Sequence, residues 1–281
     1  MHNTIYYNGQ FKNIDDVNIS INDRGYLYGH SVYESISIIN QKALLLPEHF
    51  NRLSSGLHAL GIKNPLTLTS LEAIIQELCD VNDNQKYIKC YLQITAGDTS
   101  ERNYSNFSTP NVLVRFYEWN KNENNNFKAI IVDDKRWGLC HVKSNSLAYN
   151  ALAGKMASEQ NAIEAIFIKD YFVQECSTSN LFICLNNTLY TPKTSEQLLH
   201  GVTREWVINC AKRHDIHTVE KKIHLDELLY ADEVFITASY KGVHPITMIN
   251  DKIINNNNVG EITQRLQEYY NQYAYDTICS N

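Results

Sequence analysis

Residues 136–180 read RWGLCHVKSNSLAYNALAGKMASEQNAIEAIFIKDYFVQECSTSN. A β-rich run over 127–142 delivers one lysine, Lys143, at its end. A helical stretch is expected over about 145–160, followed by two short strands, the second ending on Glu175. An amine at the tip of one strand and a carboxylate at the tip of a neighbour would share one rim of a sheet.

That pairing suits a pyridinium cofactor. A lysine forms a Schiff base with the aldehyde, and a carboxylate holds the ring nitrogen protonated so that the ring accepts electrons. Each residue also has a plainer reading. Lys143 is one of 25 basic residues, and a lone lysine after a strand is usually a solvated edge charge. Glu175 reads equally as a surface carboxylate at a turn, with residues 176–180 as hydroxyl-rich turn chemistry.

Upstream, residues 5–11 read as a hairpin turning at Asn8-Gly9. Pro47 opens a helix that carries Phe50, Leu53, Leu57 and Leu60 at helical spacing, with Arg52 beside that stripe. A second amphipathic helix spans 69–79, and strands are expected at 86–95 and 111–117. Residues 1–119 thus form a small N-terminal α/β domain. Residues 120–126 are a polar linker without periodicity. Residues 127–281 form a larger domain that carries the lysine.

Further along, Gly201-Val202-Thr203 opens a helix whose free N–H groups and positive dipole end favour a phosphate. Thr203 serves equally well as a simple N-cap. Ser239 and Tyr240, in the turn after a strand at 233–238, offer hydroxyl donors, and Arg52 offers a charge-assisted contact. Arg102 and Tyr104 sit in a polar loop and suit the grip of a substrate carboxylate; an exposed loop arginine is the plainer reading.

Composition bounds the alternatives. The chain has 281 residues and a formal charge of −6, without a long block of one sign. Neither nucleic acid nor an anionic membrane surface is called for. No apolar run approaches the roughly 20 residues of a membrane-spanning helix. Seven cysteines lie scattered without a CxxC or Cys/His cluster, so neither zinc nor a disulfide framework is indicated. An odd cysteine count and a polar start without an apolar signal core fit the cytoplasm. The GxGxxG, GxxxxGK[ST] and GxSxG patterns are absent, which removes dinucleotide, P-loop and common serine-hydrolase readings.

Together the motifs resemble a known family. Asp23-Arg24-Gly25 to Gly29 with Val32-Tyr33-Glu34 is similar to the DRGxxxGDGxxE opening of the class IV aminotransferases, the fold-type-IV pyridoxal-phosphate enzymes. Residues 48–53 (EHFNRL), 143–153, 175–182 (ECSTSNLF), 199–204 (LHGVTR) and 231–246 resemble further family segments in the same order. The resemblance implies an α/β (α+β) fold of two domains with pyridoxal 5'-phosphate in the cleft between them, and a homodimer whose subunits help form each site. It implies that Lys143 is the Schiff-base lysine and that Glu175 meets the ring nitrogen. Arg52, the backbone at Val202 and Thr203, and Ser239 with Tyr240 would hold the phosphate. Tyr33, Ser35, Arg102 and Tyr104 would face a small-molecule substrate.

The family's members differ in reaction. Arg102-x-Tyr104 and Ser35 resemble 4-amino-4-deoxychorismate lyase, which releases pyruvate and leaves 4-aminobenzoate for folate biosynthesis; this is the first expectation. The alternative is a D-amino acid or branched-chain transaminase using 2-oxoglutarate; residues 99–103 resemble the D-amino acid transaminases. A non-catalytic relative is the remote third. Two residues depart from both subfamilies: His30 stands where Asp is usual, and Ala96 where an arginine precedes Gly97.

Overall fold

Residues 87–94 alternate strictly, with Ile88, Cys90, Leu92 and Ile94 buried and Tyr87, Lys89, Tyr91 and Gln93 half-exposed. Such a strand needs helices on one face only. In the computed structural model, which describes residues 3–82, 86–99, 104, 108–119 and 127–279, it has them. Contacts divide the chain into two compact units. The first holds 1–121, 142–146 and 277–281, and the second holds 122–141 and 147–276. The Lys143 segment therefore packs with the first unit, although it lies beyond the expected linker at 120–126, which falls outside the described residues.

The first unit begins with the hairpin β1 (Thr4–Tyr7) and β2 (Gln10–Asn13). Its turn places Asn8 and Gly9 at φ 47° and 86°, the left-handed pair such a turn demands. Then come α1 (Arg24–Tyr28), β3 (Ser31–Ile39), β4 (Lys42–Ala43), α2 (Leu46–Ala59), α3 (Leu68–Val81), β5 (Tyr87–Thr95) and β6 (Asn111–Glu118). The strands form one six-stranded antiparallel sheet in the order β2-β1-β6-β5-β3-β4. Helix α2 packs on β3, and α3 on β1 and β6. Leu53, Leu57, Leu71 and Leu78 of these helices and Val32, Ile36, Leu92 and Val114 of the sheet are all buried. Helix α3 starts at a Thr67/Ser70 capping box, slightly before the expected start at 69.

The second unit opens with β7 (Lys128–Asp133), α4 (Ala148–Glu159), β8 (Glu164–Lys169), β9 (Phe172–Cys176), β10 (Asn180–Leu185) and β11 (Thr188–Pro192). It continues with α5 (Val202–Arg213), β12 (Thr218–Lys221), α6 (Leu225–Leu229), β13 (Glu233–Ala238), β14 (Gly242–Ile246), β15 (Met248–Ile249), β16 (Lys252–Ile253) and α7 (Glu261–Cys279), of which residues from 277 on group with the first unit. Two five-stranded sheets form, ordered β12-β11-β10-β13-β14 and β16-β15-β7-β8-β9. Ile166, Val173, Leu181, Ile183, Val234, Ile236 and Ile249 make one core from both sheets. Ala153 and Ala157 of α4 pack with Val132 and Phe167.

The strand expected over 127–142 is shorter than its sequence suggests, because β7 stops at Asp133. Arg136 donates from its backbone N and its Nε to Asp134 Oδ1, both at 3.0 Å. That local side-chain closure competes with a continued ladder. Lys143 consequently stands in irregular chain rather than at a strand tip.

Candidate active site

In the first unit, Lys143 is stitched to β3. Its carbonyl accepts from Tyr33 N at 2.9 Å, and Ser144 forms a bridge with Val32. The Lys143 Nζ lies 4.5 Å from the centroid of the Tyr33 ring, a geometry in which the ring quadrupole attracts a cation. Tyr33 stacks on Tyr91 with centroids 5.7 Å apart. Asn145 braces this wall, donating to Tyr91 Oη at 3.0 Å and accepting from Ser31 Oγ at 2.7 Å. Burial pushes the Tyr91 phenol up to about 12, so it stays a neutral donor, directed at Gln93 Oε1 at 2.8 Å. Ser35 is the cross-strand partner of Tyr91. Tyr33, Ser35 and Tyr91 share the sheet face away from α2.

The opposite face of β3 carries Glu34, whose side chain is 1% exposed. Arg52 donates to it from Nε (Oε1, 2.8 Å) and Nη2 (Oε2, 2.7 Å), and His49 donates from Nδ1 to Oε2 at 2.6 Å. Burial alone would raise this carboxyl, but the Arg52 and His49 charges and hydrogen bonds more than offset it and hold Glu34 well below the usual carboxylate range. Burial pushes His49 below its ordinary value despite Glu34. Arg52, read from sequence as a phosphate ligand, is thus forked onto Glu34.

His30, in place of the usual Asp, donates from Nε2 to Leu60 O at 2.8 Å and accepts at Nδ1 from Arg24 Nε at 3.4 Å. Arg24 also donates to Tyr104 O at 3.1 Å, and the exposed Tyr104 ring lies 5.2 Å from that of Tyr28. Ala96 is buried and donates its N–H to His30 O at 3.1 Å. Arg102 lies outside the described residues.

In the second unit, Glu175 on β9 is 6% exposed. Its Oε1 accepts from Arg136 Nη1, and its Oε2 accepts from Asn180 Nδ2 at 3.1 Å and Leu199 N at 3.0 Å. Asn180 Nδ2 also donates to Leu199 O at 2.9 Å. This amide ties Glu175 to the turn that opens α5. Gly201 is the N-cap there, without a side-chain cap bond, so Thr203 lies inside the first turn and its reading as N-cap is not realised. Gly201 has an ordinary φ of −69°. It is glycine because a Cβ would fall 1.9 Å from Asn180 Oδ1.

Thr203 is hydrogen-bonded to Tyr270, whose phenol burial pushes up to about 12. A Cβ on Gly242, at the start of β14, would lie 2.8 Å from the same Tyr270 ring. Tyr270 therefore packs both against the chain just beyond the Ser239–Tyr240 turn and against the first turn of α5. Below the 177–179 loop, buried Glu164 accepts from Ser177 Oγ at 2.6 Å, Thr178 Oγ1 at 3.0 Å and Ser179 Oγ. Sequence reasoning had missed Arg136, Asn180, Glu34, His49 and Glu164. Only Glu34 carried a usable signal, an acid at an inward position of an alternating strand.

The amino-transferase class IV family profile matches residues 31–249. The chain belongs to the class IV aminotransferases. Its curated relatives include the D-alanine aminotransferase of Bacillus licheniformis, 34% identical over 267 residues and 94% of each chain. That of Staphylococcus aureus strain N315 is 32% identical over 276 residues, covering 96% of this chain and 97% of the relative. Among solved structures, the branched-chain aminotransferase of Thermoproteus uzoniensis with norvaline has a TM-score of 0.90 at 22% identity, covering 98% of this chain and 95% of that one. The Escherichia coli branched-chain amino acid aminotransferase has a TM-score of 0.88 at 21% identity, covering 96% and 93%.

Class IV aminotransferases use pyridoxal 5'-phosphate. The donor set of the second unit fits that group at both ends. An uncapped first turn of α5 offers backbone N–H groups to a phosphate. A buried carboxylate suits a protonated ring nitrogen.

Proposed function

We propose that this class IV aminotransferase moves the amino group of a D-amino acid, D-alanine foremost, onto 2-oxoglutarate. The observation that carries this reading is the 34% identity to a D-alanine aminotransferase across 94% of both chains. The relatives above are named as aminotransferases, not as the lyase expected from Arg102-x-Tyr104 and Ser35, and the transaminase alternative is the better supported.

Pyridoxal 5'-phosphate, when bound, supplies an electron-accepting ring that lets the proton on the substrate's α-carbon leave. Lys143 would hold the cofactor through Nζ; displaced by the incoming substrate amine, the same nitrogen would take the α-proton and deliver it to the cofactor carbon. Glu175 keeps the ring nitrogen protonated. The amides of Val202 and Thr203, the Ser239–Tyr240 turn and Arg52 hold the phosphate. Tyr33 and Ser35 line the substrate side, and Arg102 with Tyr104 takes the substrate carboxylate. The enzyme works as a homodimer. Its seven cysteines are all free and six are buried, in keeping with a reducing compartment, and we place it in the cytoplasm.

The test is direct. Protein reconstituted with pyridoxal 5'-phosphate is given D-alanine, L-alanine or L-leucine with 2-oxoglutarate, and the keto acid formed is measured. D-alanine-dependent pyruvate supports the reading. Turnover confined to L-leucine overturns it, as does pyruvate from aminodeoxychorismate without 2-oxoglutarate.

A further inference from the structure

Arg136 begins the stretch that decides the fold, yet no motif assigns it a task. Its side chain is 4% exposed. Burying a guanidinium is costly unless every arm is engaged. Nε and Nη2 fork onto Asp134, at 3.0 Å to Oδ1 and 2.8 Å to Oδ2. Nη2 also reaches Gln197 O at 2.9 Å, and Nη1 donates to Glu175 Oε1. The guanidinium carbon sits 4.4 Å from the centroid of the Phe167 ring. Asp134, Arg136 and Glu175 form a buried line of alternating charge, all within the second unit. Burial opposes the Arg136 charge, but the hydrogen bonds to Asp134 and the Glu175 and Asp134 charges push its proton affinity above the ordinary value. It is a fixed cation.

A cation on Oε1 lowers the affinity of Glu175 for a proton. A proton shared between Glu175 and a pyridine nitrogen is then left on the nitrogen. Asp134 balances the charge behind Arg136, so that Glu175 keeps net negative character toward its partner. We propose that Arg136 is a positioning residue that acts through Glu175 to keep the ring nitrogen of the cofactor protonated, with Asp134 fixing its guanidinium. This rests on the reading of Glu175 as the partner of that nitrogen.

The experiment uses holoenzyme reconstituted with pyridoxal 5'-phosphate labelled with nitrogen-15 in the ring, and reads the ring-nitrogen chemical shift. Arg136→Gln is expected to move the signal toward the unprotonated position and to weaken cofactor affinity about tenfold, the loss of one charge-assisted contact. Asp134→Asn removes the countercharge while Arg136 keeps Glu175 and Gln197 O, and is expected to move the signal in the same direction by a smaller amount. Arg136→Lys retains the charge and is expected to restore the protonated signal; it also carries the test if the glutamine variant does not fold. A wild-type signal in Arg136→Gln overturns the proposal, and so does loss of the ring proton in Arg136→Lys or a larger shift in Asp134→Asn than in Arg136→Gln. If the wild-type enzyme binds no cofactor, the proposed function itself has failed; if it binds and the variants show no difference, this inference alone has failed.

Discussion

The two units hold their site residues in opposite ways. In the second, Glu175 is gripped by Arg136, Asn180 and Leu199 N, on a regular strand. In the first, Lys143 stands in irregular chain, its amine lying against the Tyr33 ring face. Under the role proposed for Glu175, a carboxylate that holds one proton on one nitrogen gains from every donor that fixes it. In the proposed function an amine that both holds a cofactor and moves a proton would be hindered by the same grip. A ring face attracts it weakly, at about 0.5–1 kcal/mol where exposed, and leaves it free to turn.

Replacing the mobile partner should do most damage. Lys143→Ala is expected to lower kcat by at least about 10³-fold, since proton transfer and covalent attachment vanish together. Cofactor should still bind through the phosphate end, which equilibrium dialysis of the variant checks. Retained turnover would break the assignment of the amine.

The buried triad behind the amine comes next. Glu34→Ala removes the buried carboxylate on which Arg52 and His49 converge, and removal of one buried partner costs about 3–5 kcal/mol; urea unfolding measures it. The pH dependence has a definite sign. Both Glu34 and His49 lie below their ordinary values of 4.5 and 6.5 in the fold. The unfolded chain therefore binds more protons, and stability is lost as pH falls. The His49 share goes below pH 6.5 and the Glu34 share below 4.5. His49→Gln should flatten the upper part of a stability–pH curve and leave the lower part.

How much of this was legible in the sequence follows physical lines. Lys143, Glu175 and the α5 start could be read because each stands in a local pattern, a lysine between β-rich and helical runs or a glycine before a helix. Arg136 reaches Glu175 across 39 residues, and no periodicity encodes a contact made by folding β7 alongside β8 and β9. The overlong strand at 127–142 had one cause: apolar residues on both sides of 133–136 conceal a turn made by the Asp134 carboxylate. Arg52 showed its place beside the apolar stripe, but its partner Glu34 is fixed only when α2 lies on β3.

On the rigid side, Gly201→Ala sharpens the contrast. The added methyl would fall 1.9 Å from Asn180 Oδ1, and such overpacking costs about 1–3 kcal/mol. Cofactor affinity should drop with stability, because the displaced amide also holds Glu175; isothermal titration and thermal melts on one sample check both. The smallest effect belongs to the mobile side. Tyr33→Leu removes the ring face under Lys143 and should change cofactor attachment only a few-fold, the equivalent of about 0.5–1 kcal/mol. A hundredfold change would mean that the ring does more than lean on the amine.

Asn180 and Gly201 are interlocked like a peg and its slot. Neither position is open to substitution alone, since a larger residue at 201 has nowhere to go until 180 shrinks, and a smaller residue at 180 releases both the carboxylate and the turn. Directed evolution toward a different ring system would therefore have to randomise the two sites together, and single-site libraries at either would return mostly the parent.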